Sequence, residues 1–258
     1  MASVNQLIRK GLLNGIQPLV NNNSFLYDGV DEKINYPTNS AFDFEYTDPF
    51  SFSCWINFPA LASSAATMGR YNVTGTPKGW YLIKGADDFL TFAIRYGGGQ
   101  IISLRLDKVV IGWGINEWFN IVGTYDGSND LSGMNFYYNS SNADQINEFN
   151  LPMSTSIKSS SPFVLGAQGD NINYGNVRIN NTAIFDKELS QAEVTEIYSG
   201  GKPKDLTEHS ASANLVLYHR PETCTWNGSA FDCPDESGTT TDGLSVNMEE
   251  ADKITDTP

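Results

Sequence analysis

Apolar and polar positions alternate in short blocks along most of this chain, and each block ends at a turn signal. Residues 117–128 set the pattern, with the pair Trp118-Phe119, an apolar run through Ile121-Val122, and then Asp126-Gly127. Glycine adopts backbone angles that other residues avoid, so Asp-Gly predicts a turn. Residues 133–139, with Phe136, Tyr137 and Tyr138, read as the returning strand. The same reasoning predicts strands over 50–58, 79–84, 89–96, 100–106, 148–153, 162–166, 177–185 and 215–218. Residues 25–29 and 33–36 read as a hairpin turning at Val30-Asp31-Glu32, and 60–66, mostly small residues, reads as a loop.

Helical spacing occurs twice. Ser3 with Gln6 three residues on resembles a capping box, and Val4, Leu7, Ile8, Leu12 and Ile16 share a face until Pro18 ends it. The apolar face of this arm, residues 1–22, must pack on the same domain or on a neighbouring subunit. In the second helix Ser190 caps, Glu193 follows, and Val194, Ile197 and Tyr198 share a face before Gly200-Gly201 stops it. One domain is therefore expected over 23–220. Beyond Arg220 the chain turns acidic: residues 205–258 hold eleven acidic side chains against Arg220 and Lys253. With few large apolar residues, 221–258 reads as a loosely structured extension anchored by Trp226, Phe231, Leu244 and Met248.

The fold class that follows is all-β, two antiparallel sheets packed as a sandwich. A formal charge of -14 disfavours a nucleic-acid partner, which needs Lys and Arg to neutralise phosphates. It also disfavours an anionic membrane surface. No secretory signal is visible, because Arg9 and Lys10 fall in the middle of the first twenty residues, and no apolar stretch approaches the ~20 residues of a membrane span. Cys54, in an apolar strand, is expected to be a buried small hydrophobe. Cys224 and Cys233 flank an Asn-Gly turn that can bring their sulfurs together; pairing would need an oxidising exterior, and both alternatives stand.

Four segments carry a family resemblance. Residues 25–34, Phe-Leu-Tyr-Asp-Gly-Val-Asp-Glu-Lys-Ile, resemble the opening of laminin-G-like, concanavalin A-like jelly-roll domains. Residues 50–56 resemble their next core strand, and 118–128 their Trp-x-x-Val-x-Gly-Thr-Tyr-Asp-Gly strand and turn, with Ile121 in place of the valine. Residues 183–194 resemble the strand-to-helix ending. From Leu215 through Trp226 to Met248 the chain is similar to the C-terminal extension of such domains in tailed, especially marine, bacteriophage. The resemblance implies a non-enzymatic virion structural protein: a head decoration, head-fibre or tail-associated component, oligomeric in its assembly. The N-terminal arm and C-terminal extension would dock to other virion proteins. The family's frequent calcium ion would fall at Asn180, with Asp28 and Asp31 as further oxygen donors. No cofactor is required by the residues themselves.

Four chemistries are weighed against a purely structural role. Surface glycans would need an accessible aromatic ring beside amides and carboxylates. Trp113, between Gly112 and Gly114, is the first candidate, ahead of Trp80 and Tyr96, while Trp55 and Trp118 are expected in the core. Glycoside hydrolysis would need paired carboxylates, and Asp43-Phe44-Glu45 has the alternation but lacks a third carboxylate in register. His209 and His219 have no Ser, Cys and acid partners that suggest a triad, and Gly97-Gly98-Gly99 lacks the Lys-Ser/Thr of a phosphate loop.

Overall fold

A computed structural model describes residues 19–60, 64–143, 145–169 and 172–258. The helix expected before Pro18 lies outside the described residues. The rest form two antiparallel sheets facing each other, a jelly-roll sandwich.

The first sheet has the order β10-β9-β8-β3-β13-β1-β18. Its strands are β1 (Ser24–Asp28), β3 (Phe50–Asn57), β8 (Phe119–Tyr125), β9 (Met134–Tyr138), β10 (Ser141–Asn142), β13 (Asn176–Phe185) and β18 (Lys253–Ile254), with β14 (Leu215–His219) also pairing β13. The second sheet has the order β11-β7-β6-β5-β4-β12-β2-β17-β16-β15. It comprises β2 (Lys33–Tyr36), β4 (Ala65–Asn72), β5 (Lys78–Lys84), β6 (Phe89–Tyr96), β7 (Gln100–Asp107), β11 (Gln145–Leu151), β12 (Phe163–Leu165), β15 (Thr225–Trp226), β16 (Phe231–Cys233) and β17 (Gly243–Val246). Among the described residues two short α-helices accompany the sheets, α1 (Lys108–Ile111) and α2 (Gln191–Tyr198).

The sheets meet over a largely aromatic core. Phe52 stacks on Trp80 at 5.7 Å and meets Phe92 edge-on at 4.9 Å, and Trp80 stacks on Phe163 at 5.8 Å. Gly123 on β8 is a packing requirement, since a Cβ there would lie 2.4 Å from the Phe52 ring. The outer face of the first sheet is covered as well. There Val122, Ala183 and Phe185 pack beneath Val194 and Ile197 of α2. Burial on both faces explains why β3 and β8 are buried at every position instead of alternating. Helix α2 has its expected capping box, with Ser190 and Glu193 bonding reciprocally.

Four expectations need correction. Residues 25–29 and 33–36 are not a hairpin: β1 pairs β13 and β18, β2 pairs β12 and β17, so the chain crosses between sheets at Gly29–Glu32. The loop expected over 60–66 gives way at Ala65, where strand β4 of the second sheet begins and runs to Asn72. Its small residues are required there, because a Cβ on Gly69 would sit 2.5 Å from the Gln168 carbonyl oxygen. Residues 221–258 are not loosely structured. Strands β15, β16 and β17 extend the second sheet past β2, β18 closes the first sheet beside β1, and Phe231 and Met248 join the main core. Of the other anchors, Trp226 is partly buried and Leu244 is 48% exposed. Trp118 is only half-buried, its indole N–H donating to Asp256 Oδ1 at 3.0 Å. Trp55 is buried as expected, but on the outer face, stacked on Tyr198 of α2 at 5.8 Å.

Candidate functional site

The sandwich has an open flank where β9 of one sheet and β11 of the other line a common groove without being paired strands. A groove of about 570 Å³ lies along this flank, between β7, β9, β11 and residues 130–132. The turn foreseen at Asp126-Gly127 builds one wall. Asp126 Oδ1 accepts the Ser128 N–H at 2.7 Å, and Asp130 caps a short turn by accepting the Ser132 N–H at 2.8 Å and hydroxyl at 2.7 Å. These Asx interactions are local chemistry of Asp in turns.

The far wall is the edge strand β11, clamped to the turn by amides. Asn150 donates to Asp130 Oδ2 at 3.2 Å and accepts from the Leu131 N–H at 3.2 Å. Asn129 bonds the backbone of Met153 in both directions, at 2.8 and 2.7 Å. The β7–β11 ladder is interrupted at Glu148, a bulge that re-aims its side chain. That carboxylate accepts from Ser103 Oγ at 3.0 Å and pairs with Arg105 at 3.2 Å. Gln145 donates to Asn142 at 3.2 Å, while its Oε1 is enclosed with no partner among the described residues. Phe149 stands in this wall 45% exposed.

The electrostatics favour hydrogen-bonding recognition. The Ser132 hydroxyl, the Ser132 N–H and the Asn150 amide hold the Asp130 carboxyl below the usual carboxylate range. It is therefore a fixed acceptor rather than a proton donor. Glycosidic cleavage needs an acid with a raised pKa, and Asp130 has the opposite shift.

The residues singled out from sequence lie elsewhere. Trp113 is 1% exposed, wedged between Phe58 at 5.2 Å and Phe119 at 5.5 Å, so its ring offers no face to a sugar. The flanking glycines do not free it because the ring turns inward. Trp80 is core for the same reason. Asn180 is fully buried, donating to Asn23 O at 2.6 Å and accepting from Asn181 at 2.7 Å. Asp28 pairs with Asn176, four residues from Asn180 on β13, so the two calcium candidates are about 13 Å apart along the strand. Asp28 Oδ1 instead accepts the Val30 N–H at 2.7 Å in a turn.

Asp43 pairs with Arg70 at 3.1 Å, and Glu45 accepts from Ser156 Oγ at 2.6 Å, so both carboxylates hold loops. His209 is packed, with Nδ1 accepting the Ala211 N–H at 3.0 Å and Nε2 3.0 Å from Glu193 O. His219 is buried beside Cys224 and Cys233, the one His/Cys/carboxylate trio within 4.8 Å among the described residues, and the two cysteines are joined in a disulfide. Cys54 is buried, and burial pushes its thiol up. The groove was missed because its polar residues are ordinary turn and edge residues in sequence, and only the two sheet edges make them one surface.

The sequence profile of the concanavalin A-like lectin/glucanases superfamily matches residues 28–195, well over half the chain. The chain belongs to this superfamily. The jelly-roll topology of this concanavalin A-like chain recurs in solved structures at low identity. A candidate carbohydrate-binding protein from Bacteroides ovatus superposes with a TM-score of 0.59 at 15% identity, covering 92% of this chain and 62% of that one. The receptor-binding domain of botulinum neurotoxin D gives 0.51 at 16%, covering 89% and 59%. The binding domain of botulinum neurotoxin DC, solved with rat synaptotagmin II, gives 0.50 at 16%, covering 80% and 50%. The concanavalin A-like chain thus spans between 50% and 62% of these longer chains. No curated protein matches it in sequence.

Proposed function

We propose that this chain is a non-enzymatic, lectin-like module that binds surface glycans in the groove between β9 and β11. The observation that carries the reading is the groove's composition, in which fixed carboxylate and amide groups surround one half-exposed aromatic ring. Sugars present hydroxyls that pair with such groups and an apolar ring face that lies on an aromatic. The description of the Bacteroides ovatus relative as a candidate carbohydrate-binding protein, and of the toxin domains as receptor-binding, supports a binding role on this fold.

A glycan array with the intact chain tests it, followed by titration of the best binder against Phe149→Ala and Asn150→Ala. Each variant is expected to weaken binding about tenfold or more, the effect of losing one well-placed contact. Trp113→Ala serves as a check on the stacking site expected from sequence. No binder on the array, or binding untouched by both groove variants, rules out this site.

We further propose that the module is carried on a particle, as a structural component of a tailed-phage virion. The resemblance of residues 215–248 to the C-terminal extension of phage domains supports this, as does the negative charge, which keeps particles from associating nonspecifically. Sedimentation of native particles, with mass spectrometry of the pellet before and after a high-salt wash, is the test. A fixed ratio to the main shell protein supports a virion role, and absence from the pellet overturns it.

A further inference from the structure

The C-terminal extension enters the sandwich beside a buried trio of side chains. His219 ends β14 on the first sheet, Cys224 follows the turn Pro221–Thr223, and Cys233 ends β16 on the second sheet. All three are buried. The His219 ring is held by its neighbours, stacked on Phe25 at 5.8 Å and edge-on to Tyr36 at 6.0 Å. Cys224 Sγ lies 4.0 Å from His219 Nδ1, and one ligating atom from each of the three residues lies within 4.8 Å of the others.

This donor set has a definite chemistry. Two sulfurs and an imidazole nitrogen suit a borderline-soft ion such as zinc, whereas calcium and magnesium take oxygen ligands. Tetrahedral zinc, with Zn–S of about 2.3 Å and Zn–N of about 2.0–2.1 Å, sets sulfur and nitrogen roughly 3.5 Å apart and two sulfurs roughly 3.8 Å apart. The observed 4.0 Å from Cys224 Sγ to Nδ1 is close to that spacing, so the chief change required is that the sulfurs part once their bond is broken. Lys253 Nζ donates to the Cys224 carbonyl at 2.9 Å and to the Glu222 carbonyl at 3.3 Å. A cation so close to the cysteine favours thiolate over thiol, and thiolate is the form that binds metal. The Tyr36 hydroxyl, 2.7 Å from Nδ1, borders the fourth position.

We propose that in the reduced chain Cys224, Cys233 and His219 hold a zinc ion, and that the disulfide replaces this ion on oxidation. The electrons balance through a low-molecular-weight thiol. Two thiols reduce the disulfide and leave as one disulfide of their own. Cys224 and Cys233 are then thiols, and they lose two protons as two Zn–S bonds form. An oxidised small disulfide takes the two electrons back, the sulfurs rejoin, and Zn2+ departs. Zinc and disulfide are thus alternative staples at one place, the first for a reducing compartment and the second for an oxidising one. Either one ties Cys224 to β16, and zinc ties both to β14 as well. The proposal does not depend on the glycan reading of the groove.

The test uses the full chain, reduced with a phosphine under nitrogen and titrated with Co2+, a spectroscopic stand-in for zinc. One equivalent is expected to give the sulfur-to-cobalt charge-transfer band and the visible bands of a tetrahedral site, and one equivalent of Zn2+ to bleach them. Cys224→Ser is expected to weaken binding by about tenfold or more. Cys54→Ala leaves it unchanged. When Zn2+ is added to the parent chain, the Nδ1 resonance of His219 is expected to shift in a histidine-ring 15N spectrum while His209 stays in place. The disulfide form is expected to show neither response. No band in the reduced chain, a band that survives Cys224→Ser, an unmoved His219 resonance, or equal binding by the oxidised chain overturns the proposal. If reduction alone unfolds the chain, refolding on addition of Zn2+ supports the site, and a chain that stays unfolded overturns it.

Discussion

The Tyr36 hydroxyl lies 2.7 Å from Nδ1 of His219, a hydrogen bond that crosses the sandwich from β2 to β14. Burial, reinforced by the Lys253 charge, pushes the His219 pKa down to about 3, so the ring is neutral in the folded protein. A neutral ring accepting at Nδ1 carries its proton on Nε2, which has no partner among the described residues. Tyr36→Phe removes the remaining bond and is expected to destabilise the fold by about 1–3 kcal/mol. Chemical denaturation measures this. An unchanged midpoint would show that the bond carries no net stability.

The same histidine makes the fold acid-sensitive. As pH falls below the ordinary histidine value of 6.5, the unfolded chain takes up a proton that the native ring refuses until about pH 3. Stability is therefore lost progressively across that window. Thermal melts from pH 7 to pH 4 should show it as a falling midpoint.

Glu32 acts in the opposite direction. Burial, with the nearby charges of Asp252 and Asp28, raises its pKa from 4.5 to about 7. The native state then holds a proton that the unfolded chain releases, so this contribution is present at low pH and lost as pH rises through about 7. Glu32→Gln keeps an acceptor for the Asp28 N–H that Glu32 now bonds at 2.6 Å. Its melting temperature relative to the parent should be higher at pH 8 than at pH 5. An equal offset at both pH values would remove Glu32 as the source.

Cys224 and Cys233 close a short loop around β15 and β16, nine residues apart. Replacing both with serine, or reducing the bond, is expected to remove roughly 2–3 kcal/mol in the loop-entropy description. The C-terminal strands should exchange their amide hydrogens faster first, because β16 and β17 depend on that closure. Hydrogen exchange with and without reductant reads the effect strand by strand.

Gly69→Ala tests the crowding of β4. The added Cβ would lie 2.5 Å from the backbone oxygen of Gln168 and 3.0 Å from that of Trp80, neither of which can swing away. A loss of about 1–3 kcal/mol is expected. Gly98→Ala, with nothing within 4 Å, is the matched control and should be silent.

Residue pattern alone made much of the fold legible. Alternation and turn chemistry are local, so β3, β8, β9 and α2 with its capping box could be read directly. Segment β4 escaped because Ala65-Ala66-Thr67-Met68-Gly69-Arg70 shows little apolar periodicity; its place comes from neighbours on both sides that leave no room for larger side chains. The tail was misjudged for a related reason. Few large apolar residues cannot build a separate core, but they suffice when Phe231 and Met248 fill space in a core already made by others.

What the sequence by itself determined is the all-β class, the superfamily resemblance, the acidic surface and the positions of most turns, because each depends on residues within a few places of one another. Only the tertiary structure decided which strands share a sheet, that Trp113 faces inward, and that Asp130, Phe149 and Asn150 form one groove. It alone also brought Asp43 to Arg70. Those relations join residues far apart in the chain, and local propensity does not specify them. They follow from the requirement that two sheets bury one core while their unpaired edges and connecting loops remain at the surface.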